Sequence, residues 1–263
     1  MVVLVTGATD GLGRALAGAL AEAGDTVLVH GRNEERIAET LAEIGGEARP
    51  YRADLASLEE VDRLADEVLA AEPRLDALVN NAGIGSDVPG GGARQESADG
   101  IELRFAVNYL AGYRLTRRLL DRLRESSPSR IVNVSSAGQT AIDFDDPLIE
   151  HGYSGVRAYC QSKLAQIMFT FDLAEELDGS GVAATCLHPS TYMPTKIVHS
   201  PISTIADGVE ATLRLLTSPA GEVAGRYFNV LREARADSQA YDTGARRKLR
   251  ELSDELITGR TRP

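Results

Sequence analysis

Short apolar runs alternate with longer amphipathic segments from the start of the chain. Five runs are predicted to be buried strands because they are continuously apolar rather than apolar at every second position: 2–6, 26–30, 77–81, 130–136 and 182–188. Segments with apolar residues at helical spacing lie between them: 13–24, 33–46, 58–72 and 105–126. This alternation predicts an α/β fold, a doubly wound parallel sheet with helices on both faces.

The length of the chain predicts one domain. With 263 residues and 43% hydrophobic residues, the chain can build one large core but not two comfortable ones. No repeat or linker divides it, so we expect a single domain over 1–263. Residues 86–95 contain three glycines and predict a mobile loop, while 138–158 form an acidic insertion. Both follow strand C-termini, where ligands bind in open α/β sheets.

The composition disfavours several classes of partner. A formal net charge of -11 repels phosphate backbones and anionic membranes, so we expect no nucleic acid partner. No apolar stretch approaches the roughly 20 residues of a membrane span, and the first run does not resemble a signal peptide. Two distant cysteines form no disulfide framework, and the four histidines lack metal-ligand spacing. We therefore expect a cytoplasmic protein without a membrane span or a metal site.

A glycine-rich turn follows the first predicted strand. Gly7, Gly11 and Gly13 stand where the first helix opens, which suits a tight turn and a close backbone approach to a pyrophosphate at the helix N-terminus. Glycines also serve turns that bind nothing, so this signal is weak by itself. The turn lacks the G-K-[ST] ending of a P-loop, which disfavours phosphoryl transfer.

The end of the second predicted strand indicates which dinucleotide the turn would bind. An acid that reads the ribose diol is expected there, but Gly31 takes its place and Arg32 follows. A guanidinium fits a 2′-phosphate, and a missing carboxylate removes repulsion against it, so we expect NADP(H) rather than NAD(H). The alternative is that Arg32 is a solvated loop charge. His30 is either a minor contributor to this site or a strand-end residue.

A tyrosine and a lysine stand one helical turn apart at Tyr159 and Lys163, in a chain with three lysines among 28 basic residues. Together with other motifs this pair resembles the short-chain dehydrogenase/reductase family over nearly the whole chain. The motifs are TGATDGLG at 6–13, ADL at 53–55, NNAG at 80–83, Asn108 in FAVNYL, IVNVSS at 131–136 and Tyr159-x-x-x-Lys163. The insertion 138–158, the run 158–177 and the tail 225–256 are more similar to the retinol-dehydrogenase-like branch and its bacterial relatives than to ketoacyl-carrier-protein reductases.

The resemblance implies a single-domain Rossmann fold and a role for each matching residue. Tyr159 would be the general acid/base, and Lys163 would favour its phenolate and hold the nicotinamide ribose. Ser136 would donate to the substrate oxygen, with Ser135 as the competing candidate. Asn108 would hold the helix geometry and continue a proton relay through water from Lys163.

The resemblance also implies the residues that contact the cofactor and a loop that covers the substrate. We expect the substrate loop at about 190–204 and a C-terminal extension at about 230–263. Ser190 stands where the family usually has a glycine after the proline, and Thr195 falls one residue later than usual. The expected cofactor contacts are Gly7, Thr9, Asp10, Gly11, Leu12, Gly13, Arg32, Asp54, Leu55, Asn81, Ala82, Gly83, Tyr159, Lys163, Pro189, Thr191, Tyr192 and Thr195.

Three functional hypotheses follow. The leading one is an NADP(H)-dependent oxidoreductase acting on a small carbonyl or alcohol substrate, partly apolar because Met193, Ile197, Val198 and Ile202 would line the cleft. The second is an NADPH-binding sensor or scaffold without turnover, which would have no need of the acid/base residues. The third is sugar-nucleotide epimerase or dehydratase chemistry, which the short segment after Pro189 disfavours.

Several side chains are less informative. Tyr109 and Tyr113 share the helix of Asn108 and are expected to pack or to line the cleft, while Tyr153 has no lysine at the matching offset. Lone histidines in loops, His151 and His199, are usually solvated. The helices around Asn108 and Tyr159 are apolar on more than one face, which predicts a homo-oligomer, a dimer or tetramer, or else a monomer in which that face is covered.

Overall fold

The computed structural model describes residues 1–86, 93–191 and 203–259. Within these ranges one sheet holds the strands β1 (Val2–Val5), β2 (Thr26–Gly31), β3 (Ala48–Arg52), β4 (Ala77–Asn80), β5 (Ser129–Val134), β6 (Val182–His188), β7 (Tyr227–Asn229) and β8 (Arg232–Glu233). The helices are α1 (Gly11–Glu22), α2 (Glu34–Ile44), α3 (Leu58–Ala71), α4 (Ala111–Glu125), α5 (Gly155–Glu176), α6 (Ile205–Thr217), α7 (Ala220–Val223) and α8 (Thr243–Ile257). A π-helical turn, Phe105–Leu110, precedes α4, and a short 3₁₀ helix, Ser238–Tyr241, precedes α8.

The sheet has the order β3-β2-β1-β4-β5-β6-β7-β8. The first seven strands are parallel, and β8 pairs with β7 in the antiparallel sense. The predicted doubly wound α/β fold is confirmed. The strand order reverses between β1 and β4, so their carboxyl ends open a crevice of the kind that binds dinucleotides.

Three strands are absent from the predicted set because they lie at the margins of the sheet. β3 is an edge strand with Pro50 and charged residues at exposed positions, so it has no continuous apolar run. β7 and β8 are three and two residues long. Only central strands, buried on both faces, produce the uninterrupted apolar signal.

Alternate residues of the central strands supply two cores, one on each face of the sheet. Leu4, Leu28 and Leu78 belong to the larger core, which the helices α3, α4, α5 and α8 complete. Val3 and Val5 point the other way, into the core shared with α1 and α6. Burial on both faces fixes the register of these strands, since a one-residue slip would exchange the two sets.

Side-chain caps set the start of the helices that carry the candidate site. Asp10 caps α1 by accepting a hydrogen bond from the Gly11 N–H. Ser154 caps α5 by accepting from the Arg157 N–H, so the helix begins one turn before Tyr159. Each cap satisfies a backbone donor that has no partner within the helix.

The structure differs from the predicted continuous helix over 105–126. Residues Phe105–Leu110 form a π-helical turn, and only Ala111–Glu125 are α-helical. The buried residue Asn108 lies within that turn, where its side chain bonds to the chain beyond β4. Apolar spacing does not distinguish a π turn from an α-helix over six residues, and such turns are frequent at functional sites.

Helix α8 covers the outer faces of α4 and α5. The Tyr109 hydroxyl bonds to Ser253 Oγ at 2.7 Å, and the Tyr113 hydroxyl donates to Asp254 at 2.7 Å. Leu249 of α8 enters the larger core. These contacts bury part of the second apolar face within one chain, and the homo-oligomer stays a prediction. Among the described helices none is both long and apolar enough to span a bilayer.

We predict that α8 is part of one cooperative unit. Replacing Leu249, which is 2% exposed, by Ala leaves a cavity and should lower the free energy of unfolding by about 2–4 kcal/mol. Urea denaturation followed by circular dichroism measures this. Arg247→Ala, at an exposed position of the same helix, is the matched control and should change little. An unchanged midpoint for Leu249→Ala would mean that α8 is not docked.

Candidate functional site

The glycine-rich turn between β1 and α1 has no room for side chains. Gly7 and Gly11 have positive φ angles of 66° and 50°, which favour glycine. A Cβ on Gly13 would lie 2.2 Å from the Gly7 oxygen and 2.5 Å from Asn81 Nδ2. The turn is therefore a bare backbone surface at the N-terminus of α1, flanked by the half-buried Thr9 and the buried Leu12.

Hydrogen bonds join this turn to the end of β4. Asn81 Nδ2 donates to the Thr6 oxygen at 2.8 Å. Thr6 Oγ1 accepts from the Asn81 N–H at 2.9 Å and from the Ala82 N–H at 3.1 Å. These bonds fasten the segment containing Ala82 and Gly83 beside the glycine turn at the reversal of strand order, so the NNAG motif and the TGATDGLG motif form one surface.

The ring of His30 is hydrogen-bonded to the glycine-rich turn. Its Nδ1 accepts from the Gly7 N–H at 3.1 Å, so its Nε2 carries the proton and donates to the Ala53 oxygen at 3.2 Å. Burial lowers the pKa of His30 to about 4, which keeps the ring neutral and able to accept. Of the two predicted alternatives, this geometry is that of a strand-end residue. Asp54 and Leu55 follow at the end of β3, the first half-buried and the second buried.

The end of β2 presents a guanidinium and excludes a carboxylate. A Cβ on Gly31 would lie 2.6 Å from Thr9 Cγ2, so an acidic residue does not fit there without movement. Arg32 is exposed, and its side chain has no hydrogen bond or ion pair with any residue in the described ranges. Arg36, which the sequence analysis missed, pairs with Asp10 at 3.5 Å. Arg36 lies in the first turn of α2, four residues after Arg32, and no sequence motif distinguishes it from other charged residues of that helix.

The two serines at the end of β5 have different surroundings. Ser135 Oγ donates to the backbone oxygen of Lys163 at 2.7 Å, so this hydroxyl ties β5 to α5. Ser136 lies beside the Tyr159 phenol. Burial raises the pKa of Tyr159 above its ordinary value, and the nearby Ser136 hydroxyl acts in the opposite direction. The serine next to the candidate acid/base is thus Ser136.

Lys163 is buried, and its ammonium is held away from the tyrosine. Its Nζ donates to the Val134 oxygen and to Gln166 Oε1, each at 2.9 Å, and lies 5.8 Å from the centre of the Tyr159 ring. Burial lowers the pKa of Lys163 to about 7. Two of the three donors of this ammonium are thus used by the Val134 and Gln166 oxygens, and the effect of Lys163 on a Tyr159 phenolate stays a prediction.

Asn108 and Gly83 complete this cluster. Asn108 Nδ2 donates to the Ile84 oxygen and to Ser162 Oγ, and its Oδ1 accepts from the Ile84 N–H at 2.6 Å. A Cβ on Gly83 would lie 3.4 Å from Asn108 Oδ1 and 3.5 Å from Lys163 Nζ. The exposed Gly83 therefore lies directly beside Asn108 and Lys163.

The chain after β6 closes on itself through hydroxyl groups. Pro189 and Ser190 are buried, and Ser190 Oγ donates to Ser203 Oγ at 2.7 Å. Ser203 Oγ in turn donates to the Thr191 oxygen at 2.7 Å, and Thr191 Oγ1 bonds to His188 Nε2 at 2.9 Å. Ser190 stands where the resemblance predicts a glycine. Its hydroxyl is thus linked through Ser203 to the backbone of Thr191.

Some predicted residues are outside the described ranges. These are the cofactor-contact candidates Tyr192 and Thr195, the apolar cleft candidates Met193, Ile197, Val198 and Ile202, the loop histidine His199, and residues 87–92 of the predicted mobile loop.

A buried polar network joins the chain beyond β4 to the acidic insertion. Arg104 Nη1 donates to the Tyr153 hydroxyl at 2.7 Å, and that hydroxyl donates to Glu102 at 2.9 Å. Arg104 also donates to the backbone oxygen of Gly85. Tyr153 therefore joins the insertion to Arg104 and Glu102, and Lys163 is not among its hydrogen-bond partners in the described residues. Among the described residues no group of three His, Cys, Asp or Glu side chains is arranged to hold a metal ion.

Comparisons with known proteins place the chain in a family. A family model described as short chain dehydrogenase matches residues 1–204. Human retinol dehydrogenase 14 is 35% identical to this chain over 97% of it and 85% of the relative's length. The solved structure of an uncharacterized protein from Mycobacterium paratuberculosis has a TM-score of 0.84 at 30% identity and covers 98% of this chain and 93% of its own. The chain belongs to the short-chain dehydrogenase family, as its motifs predicted.

Two further solved relatives contain nicotinamide cofactors. A short chain dehydrogenase from Shigella flexneri, complexed with NADP, has a TM-score of 0.71 at 26% identity and covers 88% of this chain and 97% of its own. A 3-ketoacyl-(acyl-carrier-protein) reductase from Brucella melitensis, complexed with NADH, has a TM-score of 0.69 at 25% identity and covers 87% of this chain and 96% of its own. The family is one of oxidoreductases that use nicotinamide cofactors.

The residues of this chain fit such a cofactor. The bare turn at Gly7 and Gly13 and the N-terminus of α1 offer backbone donors to a pyrophosphate. Asp10 at that end of α1 accepts from the Gly11 N–H with one oxygen and pairs the other with Arg36. The repulsion that Asp10 would exert on a phosphate is thereby reduced.

We predict that the bare turn is required for cofactor binding. In Gly13→Ala the new methyl group would overlap the Gly7 oxygen, so the turn must open, and NADPH affinity should fall by about tenfold or more. Fluorescence titration with NADPH measures the affinity. Gly18→Ala is the matched control in the same helix, since its nearest neighbour would be 3.9 Å away. Equal affinity of Gly13→Ala and wild type would contradict a cofactor site at this turn.

Proposed function

We propose that this protein is an NADP(H)-dependent oxidoreductase that transfers a hydride between the nicotinamide and a carbonyl or secondary alcohol, with Tyr159 as the general acid/base. One observation carries this proposal. The phenol of Tyr159, the hydroxyl of Ser136 and the ammonium of Lys163 lie together at the carboxyl end of β5, next to the bare surface around Gly83.

The cofactor supplies or accepts the hydride. In the direction of carbonyl reduction, Ser136 donates a hydrogen bond to the substrate oxygen and stabilises the negative charge that develops there. Tyr159 gives its proton to the same oxygen as the hydride reaches the carbon. The raised pKa of Tyr159 keeps the phenol protonated at neutral pH, which supports the role of an acid. In alcohol oxidation the same proton returns to Tyr159.

Lys163 supports this chemistry in two ways. Its ammonium adds positive potential near the phenolate that remains after proton transfer, and a pKa of about 7 makes it able to release and regain a proton near neutrality. Its third donor, free of the Val134 and Gln166 oxygens, is available to a hydroxyl of the nicotinamide ribose. Asn108 holds the π-helical turn against Ser162 and so positions the helix that bears Lys163.

The preference for NADP(H) rests on the end of β2. Arg32 is a guanidinium without a protein partner in the described ranges, and a carboxylate that would read a ribose diol does not fit at Gly31 unless Thr9 moves. Arg36 adds a second positive charge four residues on. A 2′-phosphate between these arginines would be stabilised by charge-assisted hydrogen bonds.

The substrate class is a partly apolar carbonyl compound or alcohol. The apolar residues of the segment 192–202 support this on sequence grounds. The relative named retinol dehydrogenase adds a long apolar alcohol to the compounds worth testing. A panel of ketones, aldehydes and apolar alcohols, followed at 340 nm, is the direct experiment.

We predict that Tyr159→Phe abolishes most turnover. Loss of the general acid/base should lower kcat/KM by about 10²–10⁴-fold, while NADPH affinity stays within about threefold. Tyr113→Phe is the matched control, since its hydroxyl bonds to Asp254 on α8 rather than facing the cluster. Binding of NADPH without Tyr159-dependent turnover on the whole panel would instead support a sensor without catalytic activity.

We predict that Arg32 separates the two cofactors. Arg32→Ala should weaken NADPH binding by about 10–100-fold and change NADH binding little, because only NADPH carries the 2′-phosphate. Parallel fluorescence titrations measure both affinities. Arg247→Ala removes the same charge from α8 and controls for the change in net charge. Equal weakening of both cofactors, or tighter binding of NADH by wild type, would overturn the assignment.

A further inference from the structure

Gln166 makes a contact that the proposed reaction does not use. It lies one turn beyond Lys163 on α5 and is 4% exposed. Its Oε1 accepts a hydrogen bond from Lys163 Nζ at 2.9 Å. Because an ammonium only donates, this bond fixes the orientation of the amide: Oε1 faces the lysine and Nε2 faces away. In the described part of the chain, no residue accepts a hydrogen bond from Nε2.

A small polar cavity lies beside Gln166, which forms part of its wall. The centre of a water-sized sphere can occupy about 10 Å³ of it. This is close to the room that one water molecule needs. The polar residues in its wall come from four different segments of the chain, so it is a junction of the active-site end of the sheet with α4 and α5. These polar residues are Thr6, Asn80, Asn108 and Gln166.

One acceptor in this wall has no partner. Asn80 is 3% exposed, and its Oδ1 is buried without a hydrogen bond to any residue that the structure describes. A buried carbonyl oxygen left in this way costs free energy comparable to a lost hydrogen bond. In native proteins such groups are usually satisfied by protein or by an internal water.

The orientation of Asn80 follows from a chain of hydrogen bonds. The Thr170 hydroxyl donates to the Gln166 backbone oxygen at 2.7 Å, so it must accept from Asn133 Nδ2 at 2.8 Å. Asn133 Oδ1 then accepts from Asn80 Nδ2 at 2.8 Å. The same Nδ2 also donates to Thr116 Oγ1 at 3.0 Å. A flipped Asn80 amide would break this sequence of donors, so its oxygen must be the group without a partner.

Gly112 keeps the space beside that oxygen open. A Cβ on Gly112 would lie 3.4 Å from Asn80 Oδ1 and 3.3 Å from Asn80 Cγ. Any side chain at this position would crowd the amide. The cavity wall thus holds one acceptor, Asn80 Oδ1, and the amide of Gln166, whose Nε2 has no acceptor among the described residues.

We propose that Gln166 is a positioning residue for Lys163, held in place by one buried water that accepts from Gln166 Nε2 and donates to Asn80 Oδ1. The water holds the orientation of the Gln166 amide, and the amide oxygen holds the position of the Lys163 ammonium. The carbonyl oxygen of Gln166 stabilises the charged form of a lysine that burial otherwise discharges. The role of this contact in catalysis rests on the proposed function, whereas the water and the effect on the lysine charge do not.

Two other titratable groups face the ammonium in the described ranges. Tyr159 lies on the same helix, with its ring centre 5.8 Å from Nζ. His188 at the end of β6 is close enough that the Lys163 charge lowers the pKa of its ring, after burial as the larger cause. Neither is changed by a substitution at Gln166, so a change in lysine titration reports on the amide itself.

The lysine titration is the first test. The chain has three lysines, so selective ¹³Cε-lysine labelling gives a simple NMR spectrum in which Lys163 is identified by its absence from Lys163→Arg. In Gln166→Met the titration midpoint of Lys163 should fall by about one pH unit, because a charge-assisted hydrogen bond is lost. Gln161→Met is the matched control: it is equally buried in α5 but bonds to Arg157 and Pro147, and it should leave the midpoint unchanged.

A crystal structure of the wild-type protein is the second test and also needs no turnover. It should show one ordered water within hydrogen-bond distance of Gln166 Nε2 and Asn80 Oδ1. Gly112→Ala should displace it and lower the Lys163 midpoint by less than Gln166→Met, while Gly18→Ala in α1 should do neither. A dry cavity in wild type, or an unchanged midpoint in Gln166→Met, would overturn the proposal. An enzyme inactive on every substrate would contradict only the proposed function.

Discussion

A buried lysine ammonium imposes the main constraint on the active-site end of this fold. Lys163 is 5% exposed, and burial alone lowers its pKa to about 7. An isolated buried charge is costly, so it persists only where oxygens are arranged around it. The Val134 oxygen at the end of β5 and the Gln166 amide on α5 provide that arrangement. The strand and the helix must therefore keep a fixed separation, which the bond from Ser135 to the Lys163 backbone reinforces.

In the glycine-rich turn between β1 and α1, by contrast, the structure depends on residues that have no side chain. Gly7 and Gly13 leave bare backbone, and the neutral ring of His30 holds that backbone by accepting from the Gly7 N–H. Thr6 and Asn81 join the turn to the strand that leads towards Gly83. The glycine-rich turn and the cluster around Tyr159 are thus connected through the ends of β1 and β4. Both strands are buried on both faces, so they are rigid supports.

The sequence predicted the parts that depend on strong local patterns. Central strands, the glycine turn and the tyrosine–lysine pair have fixed spacings, so the fold followed from them, while the roles of the site residues stay predictions. The π-helical turn around Asn108 and the edge strand β3 did not, since neither has a distinctive apolar period. The partners of Lys163 were also beyond reach, because Gln166 resembles any polar residue in a buried helix until the chain brings it to the ammonium. The pairing of Asp10 with Arg36 depends in the same way on two helix ends meeting in space.

The central claim is that this cluster directs a hydride between one face of the nicotinamide and a carbonyl carbon. It is tested most directly with NADPH carrying deuterium at either of the two C4 positions, incubated with the carbonyl panel and analysed by mass spectrometry of the alcohol products. Because the turn and the cluster fix one orientation of the ring, we expect deuterium at the carbinol carbon from one labelled position only. If neither labelled form of NADPH transferred deuterium to any of the carbonyl compounds, the result would contradict the account.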